Sequence, residues 1–508
     1  MHEPTIQTTQ VRATDLTTPL LVLHAFERDK KPVGFLQKVD AMYAGAITRV
    51  LESDDFKGKR DETLVLYAPS KDAAIQRVLL VGVGKKQDHT VESVRRGVGT
   101  AIRVAERMGI TQLAISVGHV HHLSERMGNY NAGLAAVQAA LLAAWDFREY
   151  KSKNEDSPPT ALVEDITILA FDDVELREYK RAVDYGRITA RATNFARELQ
   201  TQPGNVATPT YLANAAKKMA DENGLACTIL DLKAIKKEGM KALLAVSQGS
   251  EEEPRFIILE HKGGGDSKPV VLIGKGVTFD SGGVSIKPAD RMEEMKYDMS
   301  GAAAVIAAMQ GIAQLGLKIN VVGLIPSTEN LPDGKAFKPG DVIGSHLGKT
   351  IEIVNTDAEG RLILADALSY ARRFDPVAMV DAATLTGAVV IALGFHAIGL
   401  MGTDGDLMDE VKVAGVRVGE RCWPLPLWDE YRPQIDSTIA DMKNSGGRAA
   451  GSITAGWFLK EFAGDVPWVH LDIAGTAYKD EAAPYLRKGA TGLPTRLFIE
   501  WVRARAEA

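Results

Sequence analysis

Four carboxylates in the second half of the chain follow short apolar runs and lie among lysines and glycines. Asp357 and Glu359 are two residues apart, and in an extended segment this spacing puts both side chains on the same side. Asp280 and Asp298 end two further segments of the same half. Carboxylates that converge beyond a buried strand repel each other and lose solvation, so a cation must lie between them.

Two kinds of cation could meet this need. Lys275, Lys287 and Arg361 could form a salt-bridge network with the carboxylates, or the carboxylates could hold two metal ions. The glycines favour the metal site, because bare backbone is useful where an ion or ligand approaches closely. Those nearest the carboxylates are Gly274, Gly276, Gly282, Gly283 and Gly360. An oxygen-rich ligand set without cysteine suits Mn²⁺ or Mg²⁺ as well as Zn²⁺.

Strand and helix patterns alternate in the first third of the chain, which indicates an α/β layer fold. The β-branched runs predict strands at Leu20–His24, Thr63–Tyr67, Val78–Val83, Gln112–Val117 and Ile166–Phe171. The helical patterns between them are Ala41–Ser53, Val91–Met108 and Ala132–Phe147.

The second half repeats this alternation and carries the candidate site. Buried strands are predicted at Arg255–Glu260, Pro269–Ile273, Ile319–Ile325, Ile351–Val354 and Val377–Val380, and helices at Gly301–Leu315 and Gly360–Arg373. Ligands of open α/β sheets gather beyond the carboxyl ends of the strands. The segments that contain Asp280 and Asp357 follow two of these predicted ends, so we expect them to meet.

A long charged helical stretch separates the two α/β regions. We therefore predict an N-terminal α/β domain at 1–172, a connecting helix at 173–200 and a catalytic domain at 201–508. A polar loop with two prolines, Lys151–Thr160, lies near the edge of the first domain.

Composition excludes several other classes of protein. The formal net charge of −6 and pI near 6.0 argue against a protein that coats nucleic acid or an anionic membrane. Cys227 and Cys422 are too few for a disulfide framework or a thiolate metal site. The chain shows no signal peptide, and its longest apolar segment, Ala132–Phe147, is too short to span a bilayer. We therefore predict a soluble cytoplasmic protein.

Three motifs resemble the leucine aminopeptidase family of dinuclear metallopeptidases, peptidase family M17. They are Gly-Lys-Gly…Phe-Asp-Ser-Gly-Gly at 274–283, Tyr-Asp-Met-Ser-Gly at 297–301 and Asn-Thr-Asp-Ala-Glu-Gly-Arg-Leu at 355–362. The likeness extends over about 190–508, through Trp468–Gly475 near the end. It implies a two-domain α/β fold in which the larger, C-terminal domain has a mixed sheet sandwiched by helices.

The resemblance also implies roles for individual residues. The metal ligands would be Lys275, Asp280, Asp298, Asp357 and Glu359, with Asp280 and Glu359 bridging both ions. Lys287 and Arg361 would be the catalytic helpers, with Lys287 stabilising the oxyanion. Arginine cannot take a proton, so Arg361 would hold a bicarbonate ion that acts as the general base.

The family's activity is removal of N-terminal residues from peptides by a hydroxide that bridges two divalent ions, Mn²⁺ or Zn²⁺. The side-chain pocket would map to Met295, Thr384, Gly387, Ala474 and Ala477. These small or apolar residues favour leucine with broad tolerance. The resemblance further implies a homohexamer that acts on short peptides with a free N-terminus.

Two other functions are weighed against this one. Some members of the family also act as DNA-binding architectural factors, so a nucleic-acid-binding regulatory protein with a secondary peptidase activity is the alternative. It would need a basic stripe interleaved with aromatic residues, which the sequence lacks. A two-metal phosphoesterase fits the carboxylates but not the lysine ligand or the full signature.

Overall fold

The computed structural model describes residues 2–118, 127–152 and 162–508. The chain divides into two compact units, one of Met1–Arg191 with Glu481–Lys488 and one of Ala192–Asp480 with Gly489–Ala508. Most of the predicted loop Lys151–Thr160 lies outside the described residues. The division into 1–172, 173–200 and 201–508 stays a prediction. No helix in the described part of the chain is long and apolar enough to cross a membrane.

The first unit is built on a six-stranded sheet with the order β1-β6-β5-β2-β4-β3. Its strands are β1 Thr5–Gln10, β2 Leu21–Ala25, β3 Thr63–Tyr67, β4 Arg77–Gly82, β5 Gln112–Ser116 and β6 Asp165–Ala170. All neighbours are parallel except β3 and β4. The five predicted strands are confirmed. The sequence analysis missed β1. Ile6 is the one buried residue of this mostly polar strand, which is held by parallel pairing with β6.

Helices follow most of these strands. They are α1 Gly34–Met42, α2 Ala46–Glu52, α3 Val91–Arg107, α4 Asn129–Ala144 and α5 Asp173–Thr201. The alanine-rich helix α4 packs on α3 and is buried from Ala132 to its end, as its composition predicted. The border between the two units falls within α5.

The second unit contains a mixed sheet with the order β16-β15-β18-β14-β9-β11-β8-β7, in which β10 also pairs with β11. Its strands are β7 Ala226–Leu230, β8 Arg255–Lys262, β9 Val270–Gly274, β10 Gly276–Asp280, β11 Asn320–Asn330, β14 Ala378–Ala383, β15 Ile398–Gly402, β16 Cys422–Pro424 and β18 Trp468–Asp472. The central strands β9, β11, β14 and β18 are almost entirely buried, which explains the apolar runs that they contain.

Helices cover both faces of this sheet. They are α6 Pro209–Asn223, α7 Leu232–Glu238, α8 Lys241–Ser247, α9 Ser300–Gln314, α10 Gly360–Ala371, α11 Gly387–Leu393, α12 Gly405–Val418, α13 Gly451–Ala463 and α14 Thr495–Ala506. On one face Gly274 of β9 abuts the backbone of α9. On the other, Val271 and Ile273 join a core with α8, α10 and α13. The expected mixed sheet sandwiched by helices is confirmed.

The strand before Asp357 differs from its prediction. Ile351–Val354 was expected to be a buried strand beside the others, but the structure has β13 at Thr350–Glu352 in a separate three-stranded sheet. Its partners are β12 Val342–Gly344 and β17 Met442–Lys443, and the remaining pair is β19 Tyr478–Lys479 with β20 Gly489–Ala490. The chain from 353 to 359 is therefore a turn rather than an extended segment.

Candidate metal centre and active site

The first predicted ligand lies where β9 gives way to β10. The Lys275 side chain is 3% exposed, and its Nζ donates a hydrogen bond to the Thr384 carbonyl at 3.0 Å. The same nitrogen lies 2.9 Å from Asp298 Oδ2 and 2.8 Å from Glu359 Oε1. Lys275 is thus buried among carboxylates, with its nitrogen at their centre.

Asp280 ends β10 and is also buried. Its Oδ1 accepts hydrogen bonds from Asn330 Nδ2 at 2.8 Å and from the Gly282 backbone at 2.9 Å. Its Oδ2 lies 2.7 Å from Lys287 Nζ, which also contacts Asp357 Oδ1. One oxygen of Asp280 is therefore fixed by uncharged donors, and the other faces the cations.

Asp298 is supplied by the 3₁₀ helix Met292–Met299, which leads directly into α9. Its Oδ1 accepts a hydrogen bond of 2.7 Å from the Thr384 hydroxyl. Thr384 follows β14, so this strand end holds both Asp298 and Lys275. The convergence of strand ends expected from the sequence is present for β9, β10 and β14.

Asp357 and Glu359 come from the turn that precedes α10. Glu359 is the residue just before the helix and is 1% exposed, whereas Asp357 is half-buried. The side chains of Asp280, Asp357 and Glu359 each offer an oxygen within 4.8 Å of the other two. The predicted ligands from two distant segments therefore meet at one point.

Burial sets the ionisation of these groups. Burial, followed by the charge of Glu359, raises the pKa of Asp280 to about 7, against the opposing effect of Lys287. Burial also raises the pKa of Asp298 well above its ordinary value. For Lys275, burial alone would lower the pKa, but Asp298 and Glu359 outweigh it and raise the pKa. The site therefore stabilises positive charge at its centre.

The donor chemistry fits divalent cations. Asp298 Oδ2 and Glu359 Oε1 are buried and lie against the same nitrogen, Lys275 Nζ, at 2.9 Å and 2.8 Å. One cation is thus shared by several buried carboxylates, which leaves negative charge for further cations. Carboxylate oxygens around a buried centre are what Mn²⁺ and Mg²⁺ prefer, and Zn²⁺ also accepts them. Lys275, Asp280, Asp298, Asp357 and Glu359 are the residues that would hold such ions.

Gly360 shows why a glycine is needed beside the carboxylates. A Cβ added there would lie 2.6 Å from both Cε and Nζ of Lys275. We expect Gly360→Ala to push Lys275 aside and weaken metal binding by about 10–100-fold, the usual effect of disturbing a ligand's support. Titration with Mn²⁺, followed by elemental analysis, measures the change in metal binding.

Gly405 provides the matched control for this substitution. It is also the first residue of a helix, and nothing lies within 4 Å of an added Cβ. Gly405→Ala should leave metal binding unchanged and stabilise the fold by about 0.4–1 kcal/mol. Equal metal affinity in the two variants would contradict the role given to Gly360.

A cavity of about 470 Å³ opens beside the carboxylates. It is lined by the five predicted ligands, by Lys287 and by four of the five predicted pocket residues, Met295, Thr384, Gly387 and Ala474. Ala477 is fully buried and outside this lining. Apolar residues that the sequence analysis did not name also line the cavity, among them Leu385, Val390 and Phe395.

Arg361 lies on the first turn of α10, next to the carboxylates, but outside the cavity lining. Its Nη1 donates to the Asn444 carbonyl at 3.0 Å, and its buried Nε has no hydrogen-bond partner among the described residues. Burial lowers the pKa of Arg361 to about 10, although Glu359 and Asp472 oppose the shift. The guanidinium is therefore charged at neutral pH.

Sequence reasoning missed residues that support the site, and Asp472 is one of them. Asp472 is buried at the end of β18, and its carboxylate accepts from the Thr386 hydroxyl at 2.6 Å and from the Leu385 backbone at 3.1 Å. It thereby fixes the loop between β14 and α11 that carries Thr384 and Gly387. Asp472 lies in Trp468–Gly475, a segment that the sequence analysis had already included in the resemblance. Its position in the sequence does not show that it contacts Leu385 and Thr386.

Comparisons with known proteins agree with this geometry. The chain matches the cytosol aminopeptidase family, catalytic domain, over residues 194–499 and the N-terminal domain of the same family over 22–154. A probable cytosol aminopeptidase of Geobacter sp. (strain M21) is 46% identical over 490 residues, which are 96% of this chain and 97% of that relative. One from Nitrosococcus oceani is 44% identical over 494 residues, 96% of each chain.

Two solved structures share the fold over nearly the whole chain. A variant of tomato leucine aminopeptidase has a TM-score of 0.88 at 30% identity, with 99% of this chain and 97% of that chain covered. The bottromycin maturation enzyme BotP in complex with Mn has a TM-score of 0.83 at 33% identity, with 96% and 99% covered.

Fold and site together define a metal-dependent hydrolase of the aminopeptidase class. The chain belongs to the cytosol aminopeptidase family. This confirms the resemblance drawn from the three motifs.

Proposed function

We propose that this protein is a leucyl aminopeptidase that removes N-terminal residues from short peptides with two divalent ions. The observation that carries the proposal is the meeting of Asp280, Asp357 and Glu359 within 4.8 Å, next to a buried lysine nitrogen. Asp280 and Glu359 would bridge the two ions. Lys275 and Asp298 would complete one coordination shell, and Asp357 the other.

Bound ions would lower the pKa of a water between them, supply the hydroxide nucleophile and polarise the scissile carbonyl. Lys287 would stabilise the oxyanion. Burial alone lowers the pKa of Lys287, but Asp280 and Glu359 outweigh it and raise the pKa, so the side chain stays cationic. At 21% exposure it lies at the cavity wall, where a substrate carbonyl can reach it.

Arg361 would hold a bicarbonate ion as the general base. Its charged, partly unpartnered guanidinium beside the carboxylates supports this. We expect Arg361→Ala to lower kcat by about a hundredfold or more, the usual contribution of general base catalysis. Bicarbonate added to carbonate-free buffer should stimulate the unaltered protein, and sodium chloride at equal ionic strength should not. A fully active variant, together with no response to bicarbonate, would contradict the assignment.

The substrate side chain would occupy the apolar part of the cavity. Met295, Gly387 and Ala474 there, with Val390 and Phe395, suit leucine, and tolerance is broad because each methylene contributes only about 1–3 kcal/mol of discrimination. Thr384 is held by Asp298, so it would shape the pocket rather than contact the substrate with its hydroxyl. Ala477, fully buried, would support the wall from behind.

The substrate amine provides the test of exopeptidase action. Carboxylates and bound ions in the wall of the cavity would recognise a free α-amine and reject an acylated one. We expect hydrolysis of leucine p-nitroanilide but none of its N-acetylated form. Cleavage of the acetylated substrate at a comparable rate would refute the aminopeptidase assignment, whatever metal is bound.

The wider setting is also proposed. Mn²⁺ or Zn²⁺ would be the metal, and the Mn complex of the related BotP supports manganese. We further propose that the protein is cytoplasmic, in keeping with the family's name, and that it forms a homohexamer, as the resemblance to that family implies. The net charge of −6 argues against nucleic acid as a partner. A gel shift with a salt titration would detect binding to nucleic acid.

A further inference from the structure

The turn that carries Asp357 and Glu359 is held by a residue from a distant segment. Asn444 directly follows β17 and is completely buried. Its Oδ1 accepts a hydrogen bond of 2.9 Å from the Val354 backbone, and its Nδ2 donates one of 2.6 Å to the Asn355 carbonyl. Nδ2 also lies 3.4 Å from the Ala358 carbonyl.

These contacts lie on both sides of Asp357, the last of them between Asp357 and Glu359. Asn355 precedes Asp357 by two residues, and Ala358 lies between Asp357 and Glu359. The backbone carbonyl of Asn444 also accepts from Arg361 Nη1 at 3.0 Å. One buried residue thus contacts the backbone before Asp357, the backbone between Asp357 and Glu359, and the guanidinium that would hold bicarbonate.

The need for this support follows from the shape of the turn. From 354 to 359 the chain lies outside the strands of all the sheets, so no strand ladder fixes its backbone. Thr356 ties its other side to the Gly282 turn through a hydrogen bond of 2.6 Å. The Asn444 side chain is the matching attachment on the opposite side. Without it, two carbonyls and an amide of the turn would lose a hydrogen-bond partner.

We propose that Asn444 is a positioning residue of the dinuclear centre, which sets metal affinity by fixing the backbone that carries Asp357 and Glu359. The inference rests on the proposed metal site. It assigns to Asn444 no contact with substrate or with the reacting atoms. Supporting residues of this kind ordinarily change metal affinity by about 10–100-fold when they are removed.

Asn320, at the start of a strand in the larger sheet, offers a control. Its Oδ1 accepts from the Gly264 backbone at 2.9 Å, and its Nδ2 donates to the carbonyls of Gly265 at 2.8 Å and Ser267 at 2.7 Å. It is thus another asparagine that holds a turn through three backbone groups. It begins β11, whereas the site lies at the other end of that strand, ten residues away at Asn330.

The experiment measures Mn²⁺ binding to the full-length protein in metal-buffered solution, with thermal stability recorded in parallel. Asn444→Ala should raise the Mn²⁺ concentration for half-occupancy of the weaker site by about 10–100-fold. Asn444→Ser keeps a polar group and leaves room for a water, so it should fold and show the same direction of change. Asn320→Ala should lower the melting temperature and leave Mn²⁺ affinity within about twofold.

A second readout separates positioning from general destabilisation. Saturating Mn²⁺ should restore most of the activity of both Asn444 variants, while KM for leucine p-nitroanilide changes by less than about threefold, since no substrate contact is lost. Unchanged Mn²⁺ affinity in both variants, or an equal loss in Asn320→Ala, would overturn the inference. Failure of the unaltered protein to bind two ions would instead refute the proposed function.

Discussion

Glu359→Gln is expected to remove both metal ions and reduce aminopeptidase activity by at least about a hundredfold. Loss of a supporting residue already costs about 10–100-fold in metal affinity, and Glu359 is proposed to bridge both ions directly. The amide has the same size and can still accept a hydrogen bond, so what changes is the charge. In the structure Glu359 is 1% exposed and lies 2.8 Å from Lys275 Nζ.

The ionisation of Glu359 supports this expectation. Burial opposes its charge, yet Lys275 and Lys287 hold the pKa of Glu359 below its ordinary value. The carboxylate is therefore ionised at neutral pH and available as a ligand. The neutral amide would leave the two lysines with less negative charge around them, and a dication would be repelled.

Glu420 is the control for this change. It is completely buried and pairs with Arg496 at 3.0 Å, and its other oxygen accepts from the Leu497 backbone at 2.9 Å. Glu420→Gln should lower thermal stability and leave two ions bound. Elemental analysis after dialysis against Mn²⁺ measures the number of ions that each variant binds. Two ions retained by Glu359→Gln would contradict its proposed bridging role.

Lys275→Arg is expected to have a comparably large effect on metal binding. A lysine ligates only as the free amine, and arginine cannot provide an uncharged nitrogen. Among the protein's own charges the pKa of Lys275 is raised, so adjacent dications must lower it for ligation to occur. The larger guanidinium would also press on Gly360, where there is no free space. We expect metal affinity to fall by at least about a hundredfold.

Lys349, which forms an ion pair with Glu461, is the control for this substitution. Its Nζ pairs with Glu461, which also contacts Arg432. Lys349→Arg preserves a cation in an ion pair and should leave metal content and activity unchanged. If Lys275→Arg kept two ions per chain, Lys275 would not be a ligand, and its place among the carboxylates would be that of a counter-ion.

Much of the fold was predictable because its strands carry strong local signals. The run of β9 is apolar throughout and those of β11 and β14 contain apolar stretches, while Lys275 directly follows β9 and Asp280 is the last residue of β10. The motifs around these strand ends identified which residues are candidate metal ligands. Their meeting could be expected because strand ends at one edge of a sheet lie together.

The rest depended on long-range contacts that sequence spacing does not encode. The i, i+2 argument for Asp357 and Glu359 assumed an extended segment, whereas the turn there is fixed by Asn444, whose amide bonds Asn355 from 89 residues away. Asp472 likewise supports Thr386 across 86 residues. The short strand β1 escaped notice because its stability comes from its partner β6 rather than from its own apolar residues.

The most direct test of a dinuclear aminopeptidase is activity measured against the number of bound metal ions. The protein is stripped with a chelator, dialysed, and given increasing equivalents of Mn²⁺, and both metal content and leucine p-nitroanilide hydrolysis are followed. We expect no activity in the stripped protein and full activity when two ions per chain are bound. Full activity without metal, or two bound ions with no release from this or any short N-terminally free peptide, would contradict the assignment.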